Sequence, residues 1–333
     1  MPSESVRPAA EVVPRLAVRD PDQWLGIACW VVVAFSCLSI LLFSFGRDQG
    51  IYAVVAKSIL NGGMPYRDAW DFKPPGIFLT YALAQAVFGE SMLAIRLLEV
   101  LGLLATVFGL QRLGQVFFDR PKAGLLAGAV AALLHAELEF WHTAQPETFG
   151  GYLTVAALVV VTLEPAKPRR WLIPFAVGVL FGVCALFKPP LGGGVLVCGA
   201  YVLTREQVRG AKLPKLLRCS ALLGIGFALP LLLVAFWIGA RGAWPAFWWT
   251  FNDFVPGYTK LNWSNAHAPG MLYYALEEAF FKFSALSAAG VIAAIAITPI
   301  HAREREGVFL VLGVIAIHVA GIAMQGKFFP YHY

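Results

Sequence analysis

Continuous apolar blocks of about 18–22 residues recur along this 333-residue chain, among them 25–46, 221–238 and the region around 286–300. A block of that length crosses a hydrocarbon core of ~30 Å as a single helix. Barrel strands would alternate apolar and polar residues, and these blocks do not. Nor could the chain cover itself in water. Only 14% of its residues are charged and 59% are hydrophobic, whereas soluble domains carry about 25% charged residues. The chain reads as an all-α polytopic membrane protein.

Nine spans are expected, at about 24–46, 91–112, 123–141, 147–163, 171–187, 191–203, 219–238, 284–300 and 307–324. The first block follows a tail with Pro8, Pro14, Pro21 and charges of both signs. It is too long for a signal core and lacks a small-residue cleavage site, so it reads as a retained span. The five cysteines (Cys29, Cys37, Cys184, Cys198 and Cys219) lie in or beside apolar blocks without a CxxC pair and read as small hydrophobes. The division is a cytoplasmic tail at 1–23 and a transmembrane domain at 24–333, with large outer loops at 47–90 and 240–283.

Orientation follows from the loop cations. With the N-terminus inside, the inner segments hold 16 of the 26 Lys and Arg and nine of the 20 Asp and Glu, a balance of +7 against −1 elsewhere. That topology explains the net charge of +6 without nucleic acid, since no soluble segment interleaves basic and aromatic residues. It requires that the apolar stretch 75–89 not cross. At about 15 residues, or ~22 Å as a helix, that stretch reads as interfacial or re-entrant.

The first outer loop concentrates the candidate chemistry. Ile51, Val54, Val55, Ser58 and Ile59 follow Asp48 at helical spacing, and Asn61-Gly62-Gly63 stops the run. This predicts an amphipathic helix on the membrane with Asp48 as its N-cap. Pro74-Pro75 then opens the second short helix. Asp48, Asp68, Asp71 and Lys73 are gathered between the two. Structural readings compete with functional ones here: a helix cap for Asp48, a snorkelling cation for Lys73. The second outer loop is rich in Trp, Tyr and Phe, which suits an interfacial belt or stacking on a sugar or lipid chain. Arg96 and Glu99 read either as an i,i+3 ion pair or, for Arg96, as a phosphate ligand. Glu147, after Pro146 at a helix start, reads as a dipole-favoured acid or as a ligand of acceptor or metal. His135, Glu139 and His142 share a helix face, but the Glu-x-x-His spacing occurs once where a di-iron site needs it twice. Gly124-x-x-x-Gly128 and Gly178-x-x-x-Gly182 permit close helix packing.

The string Asp48-Gln-Gly-Ile-Tyr-Ala, continued by Asn61-Gly-Gly-Met-Pro-Tyr-Arg-Asp-Ala-Trp-Asp-Phe-Lys-Pro-Pro-Gly-Ile, resembles the first loop of GT-C glycosyltransferases. Within them it is most similar to the bacterial protein-mannosyltransferase-like, RgtA/B/C/D-like branch of lipid A galacturonosyltransferases and, more distantly, to the aminoarabinose transferases. His142-Thr-Ala-Gln-Pro-Glu147, Lys188-Pro-Pro and the terminal Gln325-Gly-Lys-Phe-Phe-Pro-Tyr-His-Tyr333 resemble that branch too. The resemblance implies a GT-C transmembrane bundle with interfacial helices in its first outer loop. It also implies inverting transfer of a sugar from a polyprenyl-phosphate donor to a lipid, glycan or protein acceptor, at the outer face of a bacterial inner membrane. By resemblance Asp48 takes the catalytic place and Lys73 grips the lipid phosphate. Relatives usually read Asp-Glu where this chain has Asp48-Gln49. They also run on past the Tyr-His-Tyr region, so the resemblance implies a C-terminally truncated or minimal member.

The chemistry suits these residue types. The lipid phosphate leaves with an added negative charge, which cations or a divalent ion such as Mg or Mn offset. Lys73, Lys188, Lys327, His332 and Arg96 are the candidate cations, with Arg67 a weaker one. Inversion needs one base behind the anomeric carbon, and Asp48 can serve. Asp71, Asp68 and Glu147 are candidates for acceptor or metal. Two other functions remain open at this point: a transporter or flippase of a lipid-linked or polar substrate, and a non-catalytic GT-C homologue, the latter motivated by Gln49.

Overall fold

The structure, a computed structural model, describes residues 21–164, 170–262, 268–279, 285–296, 301–326 and 328–332. They form helices and no strand. In order these are α1 (Pro21–Leu41), α2 (Arg47–Leu60), α3 (Pro75–Phe88), α4 (Met92–Phe118), α5 (Pro121–Glu137), α6 (Glu139–His142), α7 (Pro146–Val161), α8 (Leu172–Phe187), α9 (Gly194–Val208), α10 (Leu213–Ala240), α11 (Trp244–Trp249), α12 (Val255–Asn262), α13 (Ala268–Glu277), α14 (Ala285–Ala296) and α15 (Ala302–Gln325). Proline opens α3, α5 and α7 at the first turn, where its missing N–H costs nothing.

Each of the nine expected spans corresponds to a helix. Four of them, in α1, α4, α10 and α15, are long and apolar enough to cross a membrane alone. Two others, α7 and α8, have 16 residues each. The outward faces are apolar. Val31, Phe35 and Leu38 of α1 and Leu232, Leu233 and Phe236 of α10 are all more than half exposed. Water would penalise such surfaces heavily; lipid does not.

Close contacts give the helix directions. Gly114 lies against Gly124 and Val107 against Gly128, so α4 and α5 form an antiparallel hairpin. Gly150 meets Cys184 and Phe149 stacks on Phe187, so α7 and α8 are antiparallel. Gly193 meets Ile317 and Tyr201 bonds Glu306, which makes α9 and α15 antiparallel. By contrast α8 and α10 run parallel. A Cβ on Gly178 would collide with the Leu223 carbonyl, one on Gly182 with that of Phe227, and one on Gly226 with that of Phe175. Small residues let these backbones touch, as expected of Gly178-x-x-x-Gly182.

The two ends of the bundle are thereby distinguished. One end holds the start of α4, the start of α7 and the end of α8; the other holds Asp119, Arg205 and Lys215. All named contacts of α3 lie at the first end. Gly76 sits against Leu186 and Phe187, the Tyr81 hydroxyl donates to Ala144 O at 3.1 Å, and Gln85 Nε2 donates to Ala53 O at 3.1 Å. Most of one face of α3 is buried there, through Ile77, Phe78, Tyr81 and Ala84.

The glycine contact between α8 and α10 is testable. Gly178→Ala is expected to cost about 1–3 kcal/mol of stability through overpacking, read as a lowered melting temperature in detergent. Gly224 has open space around its Cβ position, so Gly224→Ala should not lower it. Equal melting temperatures for the two variants would refute the contact.

Candidate active site

The first loop is folded by its own polar groups. Asn61-Gly62-Gly63 ends α2, with Gly62 at φ +85° and the Gly63 N–H on Ser58 O at 2.8 Å. Asp68 then closes a tight turn, accepting the Met64 N–H at 2.7 Å, and Arg67 forks onto it at 2.9 and 2.7 Å. These bonds hold the Asp68 carboxyl below the ordinary carboxylate range. Tyr66 adopts φ +71°, uncommon for an aromatic residue. Its buried ring packs edge-on against Phe78, Phe247 and Phe251, and its hydroxyl donates to Lys73 O at 2.9 Å.

The second loop clasps the first. Arg67 donates to Arg241 O at 2.6 Å, Arg241 donates to Gly62 O at 2.5 Å, and Trp70 Nε1 donates to the Thr250 hydroxyl at 3.2 Å. The aromatic residues of 244–258 therefore form more than a belt. Trp70 meets Phe254 at 4.8 Å and Phe72 meets Tyr258 at 5.1 Å, continuing one aromatic surface from loop to loop.

Asp48 is not the helix cap that its position predicts. Gly46 is the N-cap of α2, without a side-chain cap, and Asp48 is the second helical residue. Asp48 accepts no hydrogen bond among the described residues. Its nearest ionic partner, Arg47, is 3.7 Å away and exposed. The apolar residues of α2 divide between two faces. Gln49, Tyr52, Val55 and Ala56 point inward, while Ile51 and Val54 point out. Tyr52 lies one turn beyond Asp48, and its hydroxyl donates to Gln145 Oε1 at 3.1 Å.

Asp71 is buried beside Lys73. Burial pushes its carboxyl up, Lys73 and the Phe72 N–H draw it back, and the charge of Asp48 raises it further. Lys73 is half-buried, lies 5.2 Å from the Phe72 ring centroid, and makes no ion pair among the described residues.

Lys188, Glu147 and His332 come together although they are far apart in sequence. Lys188 Nζ donates to Glu147 Oε1 and, at 2.8 Å, to Gln325 Oε1, with His332 Nε2 at 3.1 Å. His332 Nε2 is also 3.2 Å from Glu147 Oε1. Tyr331 lies over the group, its ring 5.9 Å from Lys188 Nζ and 5.5 Å from His142. Burial, then the charges of Glu147 and Asp48, push the Tyr331 hydroxyl far up. Tyr331 thus links the cluster electrostatically to Asp48. Lys188 and His332 are engaged by Glu147, which leaves Lys73 as the described cation of this region with no carboxylate on it. Lys327 lies outside the described residues. Among those described, no three His, Cys, Asp or Glu side chains gather to hold a metal ion.

Arg96 belongs to a different group from the one its charge suggested. It is fully buried, with NH1 on Glu99 at 2.8 Å and on the Thr143 hydroxyl at 2.9 Å, and NH2 on Ser44 O at 2.9 Å. Glu99 accepts the Ala144 N–H at 2.6 Å and meets His135 Nε2 at 2.8 Å. The i,i+3 ion pair is formed, and it secures the turn between α6 and α7 from below. Gln49 holds the same turn from the side. Its amide nitrogen reaches the carbonyl oxygens of Phe140, Trp141 and Thr143 at 2.8, 3.2 and 2.8 Å. Three converging carbonyls require a donor, and an ionised carboxylate has no hydrogen to offer.

Sequence reasoning gave no role to Tyr52, Gln325 and Tyr331. Tyr52 was recoverable from its i+4 spacing to Asp48. The others stand in the terminal string, but their meeting with Lys188 depends on the packing of α15.

Gln49→Glu, which restores the usual acid, is expected to destabilise the protein by about 2–3 kcal/mol, the cost of burying an unsatisfied polar group. Thermal unfolding in detergent measures it. A melting temperature equal to or above that of the parent would refute this role for the amide.

Over residues 72–237 the chain matches the family model described as dolichyl-phosphate-mannose-protein mannosyltransferase. The match takes in Lys73, Arg96, Glu147 and Lys188, and leaves Asp48 and His332 outside. Neither the curated proteins nor the solved structures return a match. The chain is a multi-pass membrane glycosyltransferase of GT-C type, similar over that span, just under half of its length, to the dolichyl-phosphate-mannose-protein mannosyltransferase family.

Proposed function

We propose that the chain moves a sugar from a polyprenyl-phosphate donor to a hydroxyl of a lipid, glycan or protein acceptor, with inversion, at the outer face of a bacterial inner membrane. The family's name specifies a lipid-phosphate-linked sugar and a protein acceptor, which supports this class of donor. The observation that carries the reading is the Asp48 carboxylate. It accepts no hydrogen bond among the described residues, stands at the start of a helix, and lies close enough to Asp71 and Tyr331 for its charge to act on both.

The chemistry balances on these groups. The acceptor oxygen bonds to the anomeric carbon as the bond from that carbon to phosphate oxygen breaks. Asp48 takes the acceptor proton, and the bonding pair leaves with the lipid phosphate, whose charge goes from −1 to −2. Lys73 offsets the added charge. Lys188 and His332 set the field behind it, and the aromatic surface from Trp70 to Tyr258 suits the sugar face or the prenyl chain. Asp71, beside Lys73, is the carboxylate best placed to hold a divalent cation or orient the acceptor.

Purified protein in liposomes with radiolabelled polyprenyl-phosphate sugars tests this. Asp48→Asn is expected to lower the transfer rate by roughly 10²–10⁴, the usual contribution of a general base, while donor binding persists. Lys73→Ala is expected to weaken donor binding as well. Unchanged transfer by Asp48→Asn would remove Asp48 from the mechanism. Movement of intact substrate across the bilayer would mean a flippase, and a parent protein inert towards every donor would mean a non-catalytic homologue.

A further inference from the structure

A built cavity lies away from Asp48. It has a volume of about 440 Å3 and sits among the end of α7, the start of α8, the end of α9 and the start of α10. Arg170 borders it. Lys188, 18 residues on, closes the far end of α8, so the cavity and the candidate active site are about 25 Å apart along that helix. It belongs to the opposite end of the bundle.

Five cations and two carboxylates line it. Glu164 Oε1 meets Arg205 at 2.5 Å and Arg209 at 3.0 Å. Glu206 meets Arg209 at 3.0 Å and also pairs with Lys215. Both acids are therefore spent on three cations. Arg170 and Arg218 make no ion pair among the described residues, and the lining carries an excess of three positive charges. A concave, partly desolvated site with that excess favours an anion. Arginine suits phosphate through its planar fork of donors.

The remaining wall is apolar: Val161, Ile173, Pro174, Val202 and Leu222. Trp171 at the rim and Leu217 on the next helix are exposed. An exposed Trp at the end of a membrane helix sits at headgroup depth. A soluble anion would leave this apolar wall wet, whereas a lipid covers it with the first carbons of its chains. Basic pockets between membrane helices take anionic headgroups in this way.

We propose that this cavity binds the phosphate headgroup of an anionic phospholipid, with Arg170 and Arg218 as its direct ligands. The site is independent of the transfer reaction.

Delipidated protein in neutral detergent, titrated with phosphatidylglycerol and followed by native mass spectrometry and melting temperature, tests it. Each arginine is expected to contribute about fivefold in affinity, so Arg170→Gln/Arg218→Gln should bind about 25-fold more weakly. Phosphatidylcholine should bind weakly to both proteins. Lys212→Gln/Arg303→Gln, which removes two charges outside the cavity, should bind as the parent does. The single variants, each expected to lose about fivefold, carry the test if the double variant unfolds. Equal phosphatidylglycerol affinity in parent and cavity variants would overturn the proposal. So would equal losses in the Lys212/Arg303 control, or displacement of the lipid by millimolar inorganic phosphate with the same stabilisation.

Discussion

The turn at residues 138–145 is held by groups that cannot find water, and the candidate site is built on it. Its carbonyls converge on the Gln49 amide, and its Ala144 N–H and Thr143 hydroxyl are taken by Glu99 and Arg96. A buried arginine and glutamate are costly to desolvate and are stable only when paired and hydrogen-bonded. Here they pair, all but the Arg96 Nε finding a partner, and the network ties the segment after α1, α2, α4, α5 and the start of α7 into one unit. Because Gln49 and Tyr52 turn inward to serve it, Asp48, on the adjoining face, is left with no hydrogen bond among the described residues and only the exposed Arg47 as an ionic partner. Because the same turn leads into Pro146, Glu147 enters α7 beside Lys188.

Much of this architecture was legible in the sequence where a signal is local and periodic. The nine apolar blocks became nine helices, and Gly124-x-x-x-Gly128 and Gly178-x-x-x-Gly182 became backbone contacts. Length was a weaker guide. The 14-residue α3 is nearly as long as the 16-residue α7 and α8. What distinguishes α3 is that its partners, Leu186, Ala144 and Ala53, all belong to one end of the bundle. Such contacts are tertiary, and hydropathy carries no trace of them.

The site residues were legible by type and less so by role. An acid at the start of a helical run predicts a cap, yet Gly46 is the N-cap of α2 and Asp48 pairs only with Arg47. Ile51, Val54 and Val55 predict a helix with an apolar face on the membrane; Ile51 and Val54 are exposed, as that requires, but Val55 is buried in the core. It shares the core contact with the polar Gln49 and the aromatic Tyr52. Arg96 was singled out for its cost in a membrane, and that cost is met by loop carbonyls and Glu99. Gln49, which had cast doubt on activity, instead has a structural reason to be an amide.

The Lys188 cluster also has a consequence for biosynthesis. Glu147 and Lys188 pair when α7 and α8 are made, before their later partners Gln325 and His332 exist. Gln325, Tyr331 and His332 emerge from the ribosome long after Asp48 and Lys73 are in place. The half-built protein thus carries its candidate carboxylate, Asp48, without the segment that completes the cluster around Lys188. The enclosure around Lys188 closes only when α15 has inserted and its trailing turn has folded back.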